Sequence, residues 1–107
     1  MSQDGYATSE YRPTAMKRLD TPAGVVEYAD DGAGPPVVFL HGLLMDHEVW
    51  NAVIPLLPSG FRYVRPVLPL GSHRIPLDAT ADLSMDGMVR LVADVLDALD
   101  LDDVTLV

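Results

Sequence analysis

Apolar positions change their spacing along this chain, and each change marks a new element. Val37-Val38-Phe39-Leu40 is an unbroken apolar run, the pattern of a strand covered on both faces, as in a parallel sheet. Before it, Thr14–Leu19 and Val25–Tyr28 read as short strands flanking Asp20-Thr21-Pro22-Ala23-Gly24. There Pro presets an early turn position and Gly can reach positive φ, so the two strands predict a hairpin. The Gly/Pro-dense stretch Asp30–Pro36 reads as a loop.

After the run the spacing becomes helical. Apolar residues at 49, 50, 53, 54 and 57 predict a helix from His47 to about Leu57, capped by Asp46, with Glu48 in its first turn. Pro58-Ser59-Gly60 ends it. Tyr63–Leu68 is the next strand, with Pro66 forcing an early exit from the ladder, and Pro69–Pro76 is a loop. Ser84 caps a second helix, Met85 to about Leu99, with an apolar stripe at 88, 92, 95, 96 and 99. On its opposite face Arg90 is spaced to pair with Asp86 and Asp94. Asp100, Asp102 and Asp103 oppose a helix C-terminus, so the helix stops before them, and Val104–Val107 is a last strand.

The order is β-β-β-α-β-α-β, an α/β pattern in which a hairpin leads into parallel strands joined by crossover helices. Residues 1–13 are polar and read as a flexible arm; residues 14–107 form one domain.

Charge and composition narrow the partners. Lys and Arg number 7 against 16 Asp and Glu, a net charge of −9. Half of the acids fall within 78–103, where Arg90 is the lone base, a pattern read as a solvated helix face. Nucleic acid and anionic membrane surfaces need clustered Lys and Arg, which the chain lacks. With 0 Cys, disulfides, Cys-ligated metals and a Cys nucleophile within these residues are excluded. The three His lack ligand spacing, so no metal and no cofactor are expected. The start MSQDGYATSEYRPT has no apolar h-region, and no run approaches the ~20 residues of a membrane helix. The expectation is a cytoplasmic protein, with oligomeric state left open.

Candidate chemistry centres on Phe39-Leu40-His41-Gly42-Leu43, at the end of the apolar strand and before a capped helix. Gly42 reads as the residue that lets the chain turn sharply and approach a ligand. The Leu43 N–H can then donate to an oxygen that becomes negative in a transition state. His41 reads as fixing the loop through side-chain hydrogen bonds, and Trp50 as core or pocket wall. His73-Arg74 lie in the loop after a strand, solvated or facing an acidic substrate. Ser72, His73 and an Asp could be written as a triad, but adjacent loop residues seldom meet that geometry.

In order along 14–107, the hairpin, VVFLHG, Trp50, FRYVRPVLP, the helix ending LDALDLDDV and the strand Val104–Val107 resemble the alpha/beta hydrolase fold family. The resemblance implies the N-terminal half of that fold, an incomplete sheet, with an oxyanion loop at His41 and Gly42 and a backbone donor at Leu43. It also implies a nucleophile elbow, G-x-nucleophile-x-G, just after the last strand, with the triad acid and His further on. None of the five Ser has a G-x-S-x-G setting, so these residues alone are expected to be inactive. The resemblance is imperfect: Val67 stands where the family often has Asp, before a reduced Gly-rich turn. Leu43 lacks the carboxamide that haloalkane dehalogenases place after His-Gly, and Leu43-Leu44 lacks the aromatic-Pro of epoxide hydrolases. What remains is hydrolysis of a carboxyl ester or a related small-molecule substrate. The alternative is a complete but truncated, non-catalytic hydrolase-like binding protein.

Overall fold

The computed structural model describes residues 15–107; the arm expected at 1–13 and the expected strand start at Thr14 lie outside them. Five strands form one sheet: β1 (Lys17–Thr21), β2 (Gly24–Gly32), β3 (Pro36–Val38), β4 (Arg62–Pro66) and β5 (Thr105–Leu106). Their spatial order is β1-β2-β4-β3-β5. The hairpin β1–β2 is antiparallel, closing on Thr21 opposite Gly24, and β2 pairs antiparallel with β4. The core of the sheet is parallel: β3 lies between β4 and β5, with Val38 opposite both Val64 and Leu106. Bonds from Phe39 N–H to Val64 O and from Leu40 N–H to Val107 O, both 2.9 Å, carry the pairing past the formal strand ends.

One helix, α1 (Met85–Ala98), covers one face. Val26, Leu91 and Val95 pack together there, and next to them Tyr28, Val38 and Val64 collect Leu96, Leu99, Leu101 and Val104. The buried helix line is Gly87, Leu91 and Val95, an i, i+4 row. The expected stripe contained Val95 but omitted Leu91 and Gly87. Ser84 caps the helix as expected, its hydroxyl accepting from Gly87 N–H at 3.2 Å. Arg90 pairs with Asp82, in the loop before the helix, rather than with the expected Asp86 and Asp94.

The other face is covered by residues 47–57, and here the expectation of a helix fails. The segment is two short 3-10 helices, His47–Trp50 and Ile54–Leu56. Its bonds span three residues: Asn51 N–H to Glu48 O, Val53 N–H to Trp50 O, Leu56 N–H to Val53 O. Pro55 is the reason, since it has no N–H to continue an α-helix and its ring clashes with the carbonyl four residues back. Across the two pieces His47, Trp50, Ile54 and Leu57 are half-buried while Val49, Val53 and Leu56 stay exposed. The Asp46 cap survives, accepting from Glu48 N–H at 2.8 Å.

The end of β2 also moves. β2 runs on through Asp30, Asp31 and Gly32, residues the sequence assigned to a loop. The extension is held by charge: Arg62 grips Asp30 through two bonds of 3.0 and 2.8 Å, and Arg65 reaches Asp31 at 3.1 Å. At the far end, α1 closes with Leu101 N–H on Leu96 O and Asp100 N–H on Asp97 O, the Schellman arrangement. Its left-handed residue is Asp100, with φ 55° where glycine is usual, and its carboxylate faces the negative helix end. Asp100→Gly is therefore expected to raise stability by about 1 kcal/mol, read as a higher urea midpoint with an unchanged slope.

Candidate functional site

The loop between β3 and the first 3-10 helix leaves the carboxyl end of the parallel strands, where open α/β sheets place their ligands. Residues 41–44 build it. His41 is 6% exposed, locked between the Leu68 N–H, which donates to its Nε2 at 2.7 Å, and the Gly42 carbonyl, 2.9 Å from its Nδ1. These two contacts hold the ring against the loop. Gly42 does not make the turn that was expected of it. The left-handed residue is Leu44, at φ 61°, and a Cβ on Gly42 would meet only Met45 Sδ at an ordinary 3.7 Å.

A leucine in that conformation costs about 1–3 kcal/mol and persists only where its surroundings hold it. Here the neighbouring loop holds it. Leu44 N–H donates to Leu70 O, and the Ser72 hydroxyl donates to Leu44 O, each at 2.8 Å. Gly71 makes room, since a Cβ there would lie 2.5 Å from Leu44 Cδ2. Between these anchored neighbours stands Leu43, exposed, with its N–H meeting no acceptor among the described residues. Ser72 is thus engaged with the loop backbone, and no Ser–His bond occurs among the described residues.

Beside His41 runs an open apolar groove of about 400 Å³, lined by Leu40, Leu68, Leu70 and Leu106 from the sheet side and by Met88 and Val92 of α1. It can take an apolar group and offers almost no charge to one. Among the described residues no cluster of three or more His, Asp or Glu is placed to hold a metal ion.

The far face of the sheet carries polar groups that the sequence reading did not single out. Arg65, 1% exposed, donates to Asn51 Oδ1 at 2.8 Å and to Asp31, tying the 3-10 segment to the sheet. Glu27, also buried, pairs at 3.3 Å with Arg74, whose side chain is otherwise exposed to solvent. The signal was present: charges of opposite sign interrupt the apolar runs VVEYA and RYVRP. Trp50 packs against the sheet, its ring 4.9 Å from Phe39, and its Nε1 is buried with no partner among the described residues, as are Nδ1 of His47 and of His73.

Burial lowers the His47 pKa from its ordinary 6.5; Arg65 and Arg74 push the same way, while Asp46 and Glu48 oppose. The unfolded chain therefore takes up this proton first as pH falls. Any stability linked to His47 is intact above about pH 6.5 and declines below it. Between about pH 7.5 and 5.5 the urea midpoint should fall more in the wild-type chain than in His47→Gln; parallel curves would contradict the assignment.

A family model for the alpha/beta hydrolase fold matches residues 35–107. A haloalkane dehalogenase of Mesorhizobium japonicum is 35% identical over 98 residues, covering 88% of this chain and 31% of that protein. A pimeloyl-[acyl-carrier protein] methyl ester esterase of Nitrosomonas europaea is 38% identical over 63 residues, covering 59% and 24%. The structure of an epoxide hydrolase from an endophytic Streptomyces superposes with a TM-score of 0.73 at 26% identity, over 90% of this chain and 29% of that one. The chain spans no more than about a third of these proteins.

Proposed function

The chain belongs to the alpha/beta hydrolase fold family, and from that premise we propose that it is the oxyanion-loop portion of a hydrolase of carboxyl esters or related small molecules. In this reading the Leu43 N–H is half of the oxyanion hole, and His41 and Gly42 are structural parts of the loop. One observation carries it. A backbone donor with no acceptor among the described residues stands at the carboxyl end of the parallel strands, beside a buried histidine that one bond ties to the next loop and a strained leucine that two bonds tie to it. Such a donor stabilises developing negative charge because no reorganisation is needed when the charge appears.

The ester class is supported by the esterase relative and by Leu43, whose side chain has no donor for a halide. Nucleophile, triad acid and base are assigned to a part of the protein outside residues 1–107, since none of the five Ser lies in G-x-S-x-G. No cofactor, metal, nucleic acid or membrane enters this reading, and the protein is placed in the cytoplasm. The purified 107-residue chain is expected to give no turnover of a reactive aryl ester above a buffer blank. Turnover that survives repurification and disappears on mutating one of its own residues would overturn the proposal.

A further inference from the structure

We infer that His41 is a positioning residue whose single ring tautomer sets the plane of the Gly42–Leu43 peptide, and with it the direction and strength of the Leu43 N–H as a donor. The inference rests on the oxyanion-hole reading above. The Leu68 N–H donates to His41 Nε2. A backbone amide can only donate, so Nε2 presents a lone pair and the ring proton is on Nδ1. Nδ1–H therefore donates to the Gly42 carbonyl at 2.9 Å, which also accepts from the Met45 N–H at 3.2 Å.

The described chain has no cis peptide bond, and across a trans peptide the C=O and the following N–H point in opposite directions. Holding the Gly42 oxygen against His41 and Met45 thus turns the Leu43 N–H to the far side of the same plane, away from both. Donation into that carbonyl also polarises the amide, strengthening its N–H by about 10–30% per bond. Gly42 cannot supply this constraint by itself. Its own conformation is unremarkable, and a glycine flanking a peptide lowers the resistance to flipping it. Without His41 the same loop could turn the Leu43 N–H inward.

The two functions of the ring separate chemically. Glutamine at 41 offers an acceptor near Nε2 and no donor near Nδ1; asparagine offers a donor near Nδ1 and loses the acceptor. NMR of the isotope-labelled chain reads the Gly42 carbonyl carbon shift, the Leu43 amide nitrogen shift and the exchange rate of the Leu68 amide. The wild-type ring should show the Nδ1–H tautomer. His41→Gln should keep the Leu68 amide protected while both peptide resonances move upfield. His41→Asn should keep the peptide resonances and speed Leu68 exchange about tenfold.

An Nε2–H tautomer in the wild-type chain overturns the inference, and so does a His41→Gln chain whose Gly42 and Leu43 resonances stay in place. A residue that merely filled space would shift the Leu68 amide and leave the peptide resonances alone. If either variant fails to fold, the wild-type tautomer decides. None of these readouts requires turnover, so they are independent of the aryl-ester assay, which tests whether residues 1–107 catalyse on their own.

Discussion

An Arg65→Ala chain is expected to lose about 3 kcal/mol of stability, read as a large drop in the urea midpoint. Arg65 is 1% exposed, yet it sits in a strand that packs against the sheet's second cover. Its guanidinium spans Asp31 of β2 and Asn51 of the 3-10 segment. Truncation leaves a buried void, removes a cation from Asp31 and breaks one tie between residues 47–57 and the sheet. Arg65→Met keeps most of the packed stem, so it should cost clearly less than alanine. The Asp30–Arg62 pair supplies the contrast. Arg62 is 29% exposed, and its partner Asp30 also meets Lys17 at 3.8 Å, so Arg62→Ala should cost clearly less than Arg65→Ala. Equal losses at 62 and 65 would show that burial is not what gives Arg65 its weight.

The second large effect is one whose sign reverses between sequence and structure. A glycine inside a helix ordinarily costs about 1 kcal/mol relative to alanine, so Gly87→Ala would be chosen from the sequence as a stabilising change. In the fold, a Cβ at Gly87 would lie 2.0 Å from the Asp82 carbonyl oxygen and 2.7 Å from its carbon. These are backbone atoms, and rotating a side chain cannot relieve them. The loop before α1 would have to move, and with it the Ser84 N–H bond to Asp82 Oδ1 and the Arg90–Asp82 pair. Overpacking of this kind costs about 1–3 kcal/mol, and the expected result is a net loss of about 2 kcal/mol with weakened capping of α1. A rise in melting temperature for Gly87→Ala would show that the loop over the helix start is loosely held.

Much of the architecture was legible because it depends on local chemistry. The hairpin, the buried run into His41, the Ser84-capped helix and the halt of that helix before the acids follow from turn residues, periodicity and caps. Apolar spacing over 47–57 is helical, but Pro55 removes an N–H and crowds the preceding turn, which breaks the α-helix. The stretch Asp30–Gly32 is the opposite case. Its composition is that of a loop, and pairing with β4 and its arginines, about 32 residues away in sequence, makes it strand.

The candidate site divides in the same way. The sequence by itself determined the type of fold, the place of the His-Gly-Leu loop at a strand end, and the absence of a nucleophile motif among these residues. These are matters of pattern and residue type, which need no third dimension. Only the tertiary structure decided which residue carries the strain, which nitrogen of His41 holds the proton, and which charges are buried. Leu44 rather than Gly42 is left-handed because the Leu70 carbonyl and the Ser72 hydroxyl meet its backbone. His41 has a defined tautomer because the Leu68 amide faces it from 27 residues away. Hydrogen bonds and burial join groups that are distant along the chain, so their geometry exists only once the sheet has brought the two loops together.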